Sequence, residues 1–312
     1  MSSTTLRLGT RGSRLALWQA ERVRDLLTRL PEAPPVEIVK ISTSGDRIQN
    51  VALSQVGGRD FFTKDIEDAL LEGRVDLAVH SYKDLATDDP AGLRVGAVLE
   101  RADPRDALVA APGSTLAGLP AGATIGTSSL RRKAFVARLR PDLRCVELRG
   151  NVPTRIRKRE EGEYDALLLA SAGLDRLELS HHIVERLDPE GLTPAPAQGA
   201  VAVQIRADDE ATGRWVGELN HGPTARATEA ERVLLNVLEG GCQVPVGALA
   251  TEAGGLLRLK ARVASLDGSR SITGEVEGSA DEPGALGRTL GTRLLDEGAG
   301  EILAGIRNAA AG

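Results

Sequence analysis

Short apolar runs alternate with amphipathic stretches along the first half of the chain. The apolar runs predict strands at 6–10, 36–43 and 75–81. Between these runs, apolar residues recur at helical spacing over 16–30 and 62–70, and Ser13 is placed to cap the first helix. The near-continuous apolar run at 75–81 is typical of a strand buried inside a parallel sheet. This alternation predicts an α/β sheet.

A polar stretch at 100–106 interrupts the pattern and is interpreted as a linker. Beyond it, strands are predicted at 124–127, 145–148, 165–170 and 200–205, and helices at 130–139 and 154–161. The pattern then changes to a long helix and two strands, at 224–238, 256–263 and 271–276, and a final helix. The predicted fold is therefore α/β, with a first lobe at 1–99 plus 200–217, a second lobe at 105–193, and a smaller α+β domain at 222–312.

Composition narrows the function classes. The 312 residues carry a formal net charge of -5, which argues against a general polyanion binder. Cys145 and Cys242 form no C-x-x-C pair, so a reducing cytosol is expected. No stretch approaches the roughly 18 apolar residues of a membrane span, and no signal peptide is found. We expect a cytoplasmic protein that binds no membrane.

The common catalytic motifs are missing from the sequence. It contains no phosphate-binding loop, no dinucleotide fingerprint and no nucleophile elbow. The four histidines are not at metal-ligand spacing, so no metal site is predicted. Any chemistry must come from other residues.

Arginines are concentrated between residues 131 and 159. They are Arg131, Arg132, Arg138, Arg140, Arg144, Arg149, Arg155, Arg157 and Arg159. Four of them are interpreted as lying on solvated helix faces: Arg138, Arg140, Arg157 and Arg159. Arg131 and Arg132 follow Thr127, Ser128 and Ser129 at a strand-to-helix turn, where free backbone N–H groups and the helix dipole favour anions.

Further cations lie at similar positions. Arg149 ends a strand and Arg155 opens the next helix, at the edge where ligands bind in open α/β sheets. Arg11 and Ser13 occupy the matching turn in the first lobe. Two such edges facing one another would form a cleft lined with guanidinium groups, which bind carboxylates and phosphates in bidentate fashion. Phe135 is the one aromatic residue in the arginine-rich stretch, so a polycarboxylate or phosphate ligand is favoured over nucleic acid.

Two further positions are candidates for chemistry. Asp84 follows a buried strand, and its carboxylate either stabilises a cation or moves a proton, or it forms a surface ion pair with Lys83. The sequence favours neither alternative. Cys242 lies between two glycines and Pro245 in a loop after a helix, so we expect an exposed thiol that acts as a nucleophile or an attachment point. Cys145 is expected to be buried in a strand.

Seven segments, in order and over nearly the full length, resemble the porphobilinogen deaminase family. They are Gly9–Ala20, His80–Asp84, Asp103–Ala107, Gly126–Arg132, Leu148–Asn151, Gln198–Ala200 and Glu239–Pro245. The resemblance implies two lobes built like type II periplasmic binding proteins around a cleft, plus the smaller C-terminal domain. Independently of the resemblance, we expect a monomer that binds no nucleic acid.

The resemblance further implies a dipyrromethane cofactor in thioether linkage to Cys242. By the same resemblance, four porphobilinogen molecules would be added head to tail with loss of ammonia, and water would release hydroxymethylbilane. Asp84 would stabilise the azafulvene cation that remains when ammonia departs. Position by position, cofactor binding is implied for Arg11, Ser13, Lys83, Asp84, Thr127, Ser128, Ser129, Arg131, Arg132 and Arg155. Substrate binding is implied for Arg11, Arg149 and Arg176.

The chain departs from the family pattern at five positions: Gln55, Arg59, Asp60, Ala86 and Ala197. The family usually has lysine at the first two, glycine at the third, proline at the fourth and glycine at the fifth. The first three fall in a loop that resembles a lid. Two alternatives to an enzyme are a solute-binding protein of the same architecture and a ligand-sensing regulator. The former would not need the Cys242 loop, and no helix-turn-helix region supports the latter.

Overall fold

The computed structural model describes residues 5–43, 63–238 and 244–311. Its strands, in chain order, are β1 (Leu6–Thr10), β2 (Val36–Lys40), β3 (Leu77–Ser81), β4 (Leu93–Val98), β5 (Asp106–Val109), β6 (Thr124–Gly126), β7 (Arg144–Val146), β8 (Ala166–Ala170), β9 (Ile183–Arg186), β10 (Val201–Arg206), β11 (Val246–Ala253), β12 (Leu256–Ala264) and β13 (Ser271–Ser279). Its α-helices are α1 (Arg14–Leu27), α2 (Lys64–Leu71), α3 (Leu130–Leu139), α4 (Val152–Glu160), α5 (Ser171–Arg176), α6 (Glu210–Gly217), α7 (Gly222–Val237), α8 (Pro283–Leu294) and α9 (Gly300–Ala311).

The described residues divide into two compact units. One contains 5–43, 63–102 and 200–225, and the other contains 103–199, 226–238 and 244–311. The three-domain division drawn from the sequence stays a prediction. No α-helix in the described part of the chain is long and apolar enough to cross a bilayer.

The first unit is built on a five-stranded sheet in the order β2-β1-β3-β10-β4. Strand β1 runs parallel to β2 and β3, whereas β10 runs antiparallel to β3 and β4. Leu8, Leu77 and Val203 pack with apolar residues of α1, including Val23 and Leu27, in one buried cluster. The near-continuous apolar run predicted as a buried strand therefore forms the centre of the sheet.

The second unit contains a sheet with the same arrangement, in the order β7-β6-β8-β5-β9. Strand β6 is parallel to β7 and β8, and β5 is antiparallel to β8 and β9. Phe135 of α3 is fully buried and packs with Leu108, Ile125 and Leu168. Because β5 runs antiparallel, its first residue, Asp106, pairs with Ala170 at the end of β8 and lies at the edge where the parallel strands end.

The remainder of the second unit is an antiparallel sheet, β11-β12-β13, covered by helices. Leu234 of α7 and Leu290 of α8 pack with Leu259 of β12 in one apolar cluster. The two five-stranded sheets with their helices form the predicted α/β part, and the antiparallel sheet with its helices forms the α+β part. The predicted fold class is therefore confirmed.

The sequence analysis did not predict β4, β5, β9, β11, α5 and α6, and it predicted one final helix where the structure has two, α8 and α9. The polar stretch 100–106 is interpreted from the sequence as a linker, but the linker does not include Asp106. This residue is the first of β5 and is fully buried. A charged residue at the start of a four-residue strand conceals the apolar pattern on which the prediction depended.

Candidate functional site

In the first unit, Arg11, Ser13 and Asp84 line one pocket of about 90 Å³. Ser13 caps helix α1, and its Oγ accepts a hydrogen bond of 3.3 Å from the backbone N–H of Ala16. Asp84 ends the short 3-10 turn Tyr82–Asp84 that directly follows β3, and its side chain is exposed. The structure therefore brings three of the predicted residues to one pocket. Lys83, next to Asp84, is half-buried.

The same pocket is lined by polar side chains that the sequence analysis did not select. Gln19 is buried on α1 and donates a hydrogen bond of 2.9 Å to Ser81 Oγ. Burial lowers the pKa of His80 to about 4; the side chain of Gln204 opposes this shift and the charge of Arg11 adds to it. A glutamine on the apolar face of a helix and a histidine inside an apolar strand were the available signals.

In the second unit, Thr127, Ser128 and Ser129 form the turn between β6 and α3. Ser129 caps α3 by accepting a hydrogen bond of 3.4 Å from the Arg132 backbone N–H. Thr127 Oγ1 accepts a hydrogen bond of 3.3 Å from the Ser129 N–H, and Ser128 Oγ donates to the carbonyl of Leu148. The hydroxyl groups thus hold the turn that begins the helix.

Arg131 and Arg132 share one buried carboxylate. Nη1 of Arg131 lies 2.7 Å from Asp106 Oδ2, and Nη2 of Arg132 lies 2.7 Å from Oδ1. Although burial alone would raise the pKa of Asp106, the charges of Arg131 and Arg132 hold it well below its ordinary value. This cluster lies at the strand edge predicted to bind a ligand.

The two arginines differ in the donors that remain. Arg132 gives Nε and Nη2 to Asp106 and Nη1 to the Leu168 carbonyl. Nη1 of Arg131 donates to Asp106 and to the Thr193 carbonyl, but its buried Nε and Nη2 have no hydrogen-bond partner within the described residues. Nε and Nη2 form one edge of the guanidinium fork, which fits a carboxylate. Arg131 therefore has donors left for an anionic ligand.

The other predicted arginines of this unit are partly engaged. Arg155 Nε donates a hydrogen bond of 2.6 Å to the Gly150 carbonyl at the start of α4. Arg176 Nη2 donates a hydrogen bond of 2.7 Å to the Gly199 carbonyl, and burial lowers the pKa of Arg176 to about 10. Arg149 is half-buried at the end of the segment that follows β7.

Two arginines expected on solvated faces lie elsewhere. Arg140 donates to the carbonyls of Leu116 and Leu119. Gly268 in the turn between β12 and β13 packs so closely on α3 that a Cβ there would lie 2.3 Å from the Arg138 backbone nitrogen. The solvated-face interpretation is therefore wrong for Arg138, whose Nε is buried, and for Arg140, whereas the Arg157 side chain is 65% exposed.

The remaining predicted positions have different outcomes. Cys242, Gln55, Arg59 and Asp60 lie outside the described residues. Cys145 is half-buried, and burial raises the pKa of its thiol to about 11, which leaves little thiolate at neutral pH.

Two family models match the chain in succession. Residues 6–214 match porphobilinogen deaminase, dipyromethane cofactor binding domain, and residues 225–296 match the C-terminal domain of porphobilinogen deaminase. The chain belongs to the porphobilinogen deaminase family. The family predicted from the seven sequence segments is thereby confirmed.

Relatives agree with this membership of the porphobilinogen deaminase family. The porphobilinogen deaminase of Desulforudis audaxviator is 50% identical over 96% of this chain and 97% of that protein. The enzyme of Geobacter metallireducens is 48% identical over 97% of this chain and 95% of that protein. Among solved structures, the methionine binding protein MetQ has a TM-score of 0.45 and 11% identity over 69% of this chain and 89% of that chain, too distant for a functional argument.

Proposed function

We propose that the chain is a transferase that condenses four porphobilinogen molecules head to tail and releases hydroxymethylbilane for tetrapyrrole biosynthesis. The match of residues 6–214 to the cofactor-binding domain of the porphobilinogen deaminase family is the observation that carries this proposal. In each addition the aminomethyl C–N bond of the substrate breaks and ammonia leaves. The methylene carbon then forms a C–C bond to the preceding ring, which releases a proton.

Asp84 is the proposed catalytic carboxylate. Loss of ammonia leaves a cationic azafulvene, and an anionic carboxylate beside it lowers the free energy of that charge. The position of Asp84 in a pocket with Arg11 and Ser13 supports this role over a surface ion pair with Lys83. Arg11, Arg149 and Arg176 are proposed to bind the acetate and propionate groups of the substrate.

The residues of the second unit fit a dipyrromethane, which carries several carboxylates. Nε and Nη2 of Arg131, which have no hydrogen-bond partner within the described residues, supply a buried bidentate donor edge for one of these carboxylates. The start of α3 adds the positive end of a helix dipole. When bound, the dipyrromethane supplies the pyrrole carbon to which the first substrate is joined. We propose that it is attached through a thioether to Cys242.

The remaining cofactor contacts are proposed from the family pattern: Arg11, Ser13, Lys83, Asp84, Thr127, Ser128, Ser129, Arg132 and Arg155. For Arg132 the proposed effect is indirect, because its donors orient Asp106, which in turn holds Arg131. We also propose a cytoplasmic monomer that binds no nucleic acid. Light scattering and a filter-binding assay with DNA and RNA test the last two statements.

Asp84→Asn tests the mechanism. The amide keeps the shape of the side chain but offers no negative charge, so we expect hydroxymethylbilane formation to fall by roughly 100- to 1,000-fold. Asp84→Glu retains the charge at a displaced position and should fall between. Asp89→Asn removes another exposed carboxylate on the same chain segment, outside the pocket lining, and should leave turnover unchanged.

The result depends on comparing product formation with the mass of the protein. Asp84→Asn should retain the covalent dipyrrole while losing turnover. If this variant turns over within a few-fold of the wild type, Asp84 is not the catalytic carboxylate. Wild-type protein that binds porphobilinogen without releasing ammonia would instead indicate a solute-binding protein.

A further inference from the structure

Two buried polar atoms in the Asp84 pocket have no hydrogen-bond partner among the described residues. They are Oγ1 of Thr63 and Nε2 of His80, and both residues line the pocket. Thr63 is 3% exposed and His80 is 5% exposed. A buried polar group without a partner is unfavourable, so native structures contain few of them. Two of them in one pocket indicate a ligand that supplies the missing hydrogen bonds.

Other polar side chains of the pocket are already engaged. Gln19 and Ser81 hydrogen-bond to one another, and Ser13 accepts from the backbone of α1. This contrast separates Thr63 and His80 from the remaining polar lining. The side chain of Gln204 is close enough to His80 to oppose the fall in its pKa, but its Oε1 makes no hydrogen bond with Nε2 and likewise has no partner among the described residues.

His80 is an uncharged group at neutral pH. Its burial and the charge of Arg11 both disfavour the imidazolium form, and the pKa is about 4. A neutral imidazole can donate one hydrogen bond through Nε2, as can the hydroxyl of Thr63. Neither adds a charge, so the charged side chains among the described residues that line this pocket are the guanidinium of Arg11 and the carboxylate of Asp84.

We propose that Thr63 and His80 donate hydrogen bonds to a carboxylate oxygen of a pyrrole acetate or propionate group that Arg11 attracts. This inference rests on the proposed function, because porphobilinogen and the dipyrromethane both carry such groups. The two neutral donors would fix the orientation of a carboxylate that Arg11 holds by charge. They are binding residues, and we expect them to act on affinity more than on the chemical step.

The test uses Thr63→Val and His80→Leu in the full-length protein. Thr212→Val is the matched control, because Thr212 is equally buried at 4% exposure but its Oγ1 donates a hydrogen bond of 2.9 Å to Asp209. Four quantities are measured for each variant. They are KM and kcat for porphobilinogen, the covalent adduct by intact mass, and the Tm of protein made without porphobilinogen.

We expect Thr63→Val and His80→Leu to lose ligand affinity without losing stability. If the carboxylate belongs to the substrate, KM rises by about tenfold and kcat stays within about threefold. If it belongs to the dipyrromethane, the adduct is depleted instead. In either case the Tm without porphobilinogen is unchanged or raised, because an unmatched polar atom has been removed. Thr212→Val should lower Tm and leave KM and adduct unchanged.

A conservative variant of His80 distinguishes loss of a hydrogen bond from misfolding. His80→Gln keeps a hydrogen-bonding amide and should retain more affinity or more adduct than His80→Leu. If Thr63→Val and both His80 variants bind porphobilinogen and carry the adduct as the wild type does, the inference is overturned, even though the proposed function stands. A lowered Tm with unchanged KM and adduct also overturns it, because the side chains then serve the fold. Wild-type protein that forms no hydroxymethylbilane overturns the proposed function and this inference together.

Discussion

Asp106→Asn should destabilise the second unit more than any exposed carboxylate change. Asp106 is fully buried, and its single negative charge is shared by the guanidinium groups of Arg131 and Arg132, whose side chains are 3% and 8% exposed. Asparagine has the same shape, but it accepts hydrogen bonds at one oxygen only and has no charge. The substitution therefore leaves two buried cations without their counter-charge.

The magnitude follows from this burial. Removing one partner of a buried ion pair costs about 3–5 kcal/mol. At about 2–4 °C per kcal/mol for a protein of this size, the midpoint of thermal unfolding should fall by about 6–20 °C. Asp68→Asn removes one partner of an exposed pair with Lys64 and should change the free energy of unfolding by less than about 1 kcal/mol.

The same substitution should change how stability depends on pH. The pKa of Asp106 lies below its ordinary value of 3.8 in the folded protein. The unfolded chain therefore takes up this proton first as pH falls, so the stabilisation is complete above about pH 4 and is lost below it. In that acidic range the wild type should lose up to about 1.4 kcal/mol per pH unit more than Asp106→Asn.

Urea unfolding at several pH values between neutral and acidic measures both effects. Circular dichroism follows the unfolding, with Asp68→Asn as the control. The reasoning is refuted if Asp106→Asn lowers the free energy of unfolding at neutral pH by less than about 1 kcal/mol and loses stability in acid as steeply as the wild type does. Asp106 would then not be the counter-charge of the two arginines.

Two further predictions concern the backbone and the arginines. Ala197 has φ of 59°, is fully buried, and donates its N–H to Glu231 Oε2 at 2.6 Å. Because glycine adopts a left-handed conformation without strain, Ala197→Gly should raise the free energy of unfolding in urea titrations by about 0.5–1 kcal/mol. A free energy of unfolding below that of the wild type would show that the site is unstrained. Arg149→Lys should reduce kcat/KM for porphobilinogen, because lysine lacks the bidentate fork of arginine. Arg157→Lys, on an exposed face, should leave kcat/KM unchanged. If the two variants have the same kcat/KM, Arg149 binds no carboxylate.

The sequence predicts the elements whose pattern is local. Helix α3 has the predicted bounds, because its apolar positions repeat at helical spacing and Ser129 provides the cap. Strand β3 is a near-continuous apolar run, so its central place in the sheet was also predictable. The first turn of α1, with Ser13, followed from the same local signals.

Features that depend on distant partners were not predictable. Asp106 begins a buried strand only because Arg131 and Arg132, 25 and 26 residues later, compensate its charge. Arg138 lies on a helix whose outward face is covered by the turn containing Gly268, which the spacing within the helix does not reveal. The difference between Arg131 and Arg132, adjacent and chemically identical, likewise emerges from their hydrogen bonds.

The intact mass of the purified protein tests the central proposal most directly. From cells able to make porphobilinogen, we expect the wild type to exceed the mass of the bare chain by two porphobilinogen units less two molecules of ammonia. Cys145→Ser should keep this increment, and Cys242→Ser should lose it. A wild-type protein with the mass of the bare chain, or an increment that survives in Cys242→Ser, would contradict the account.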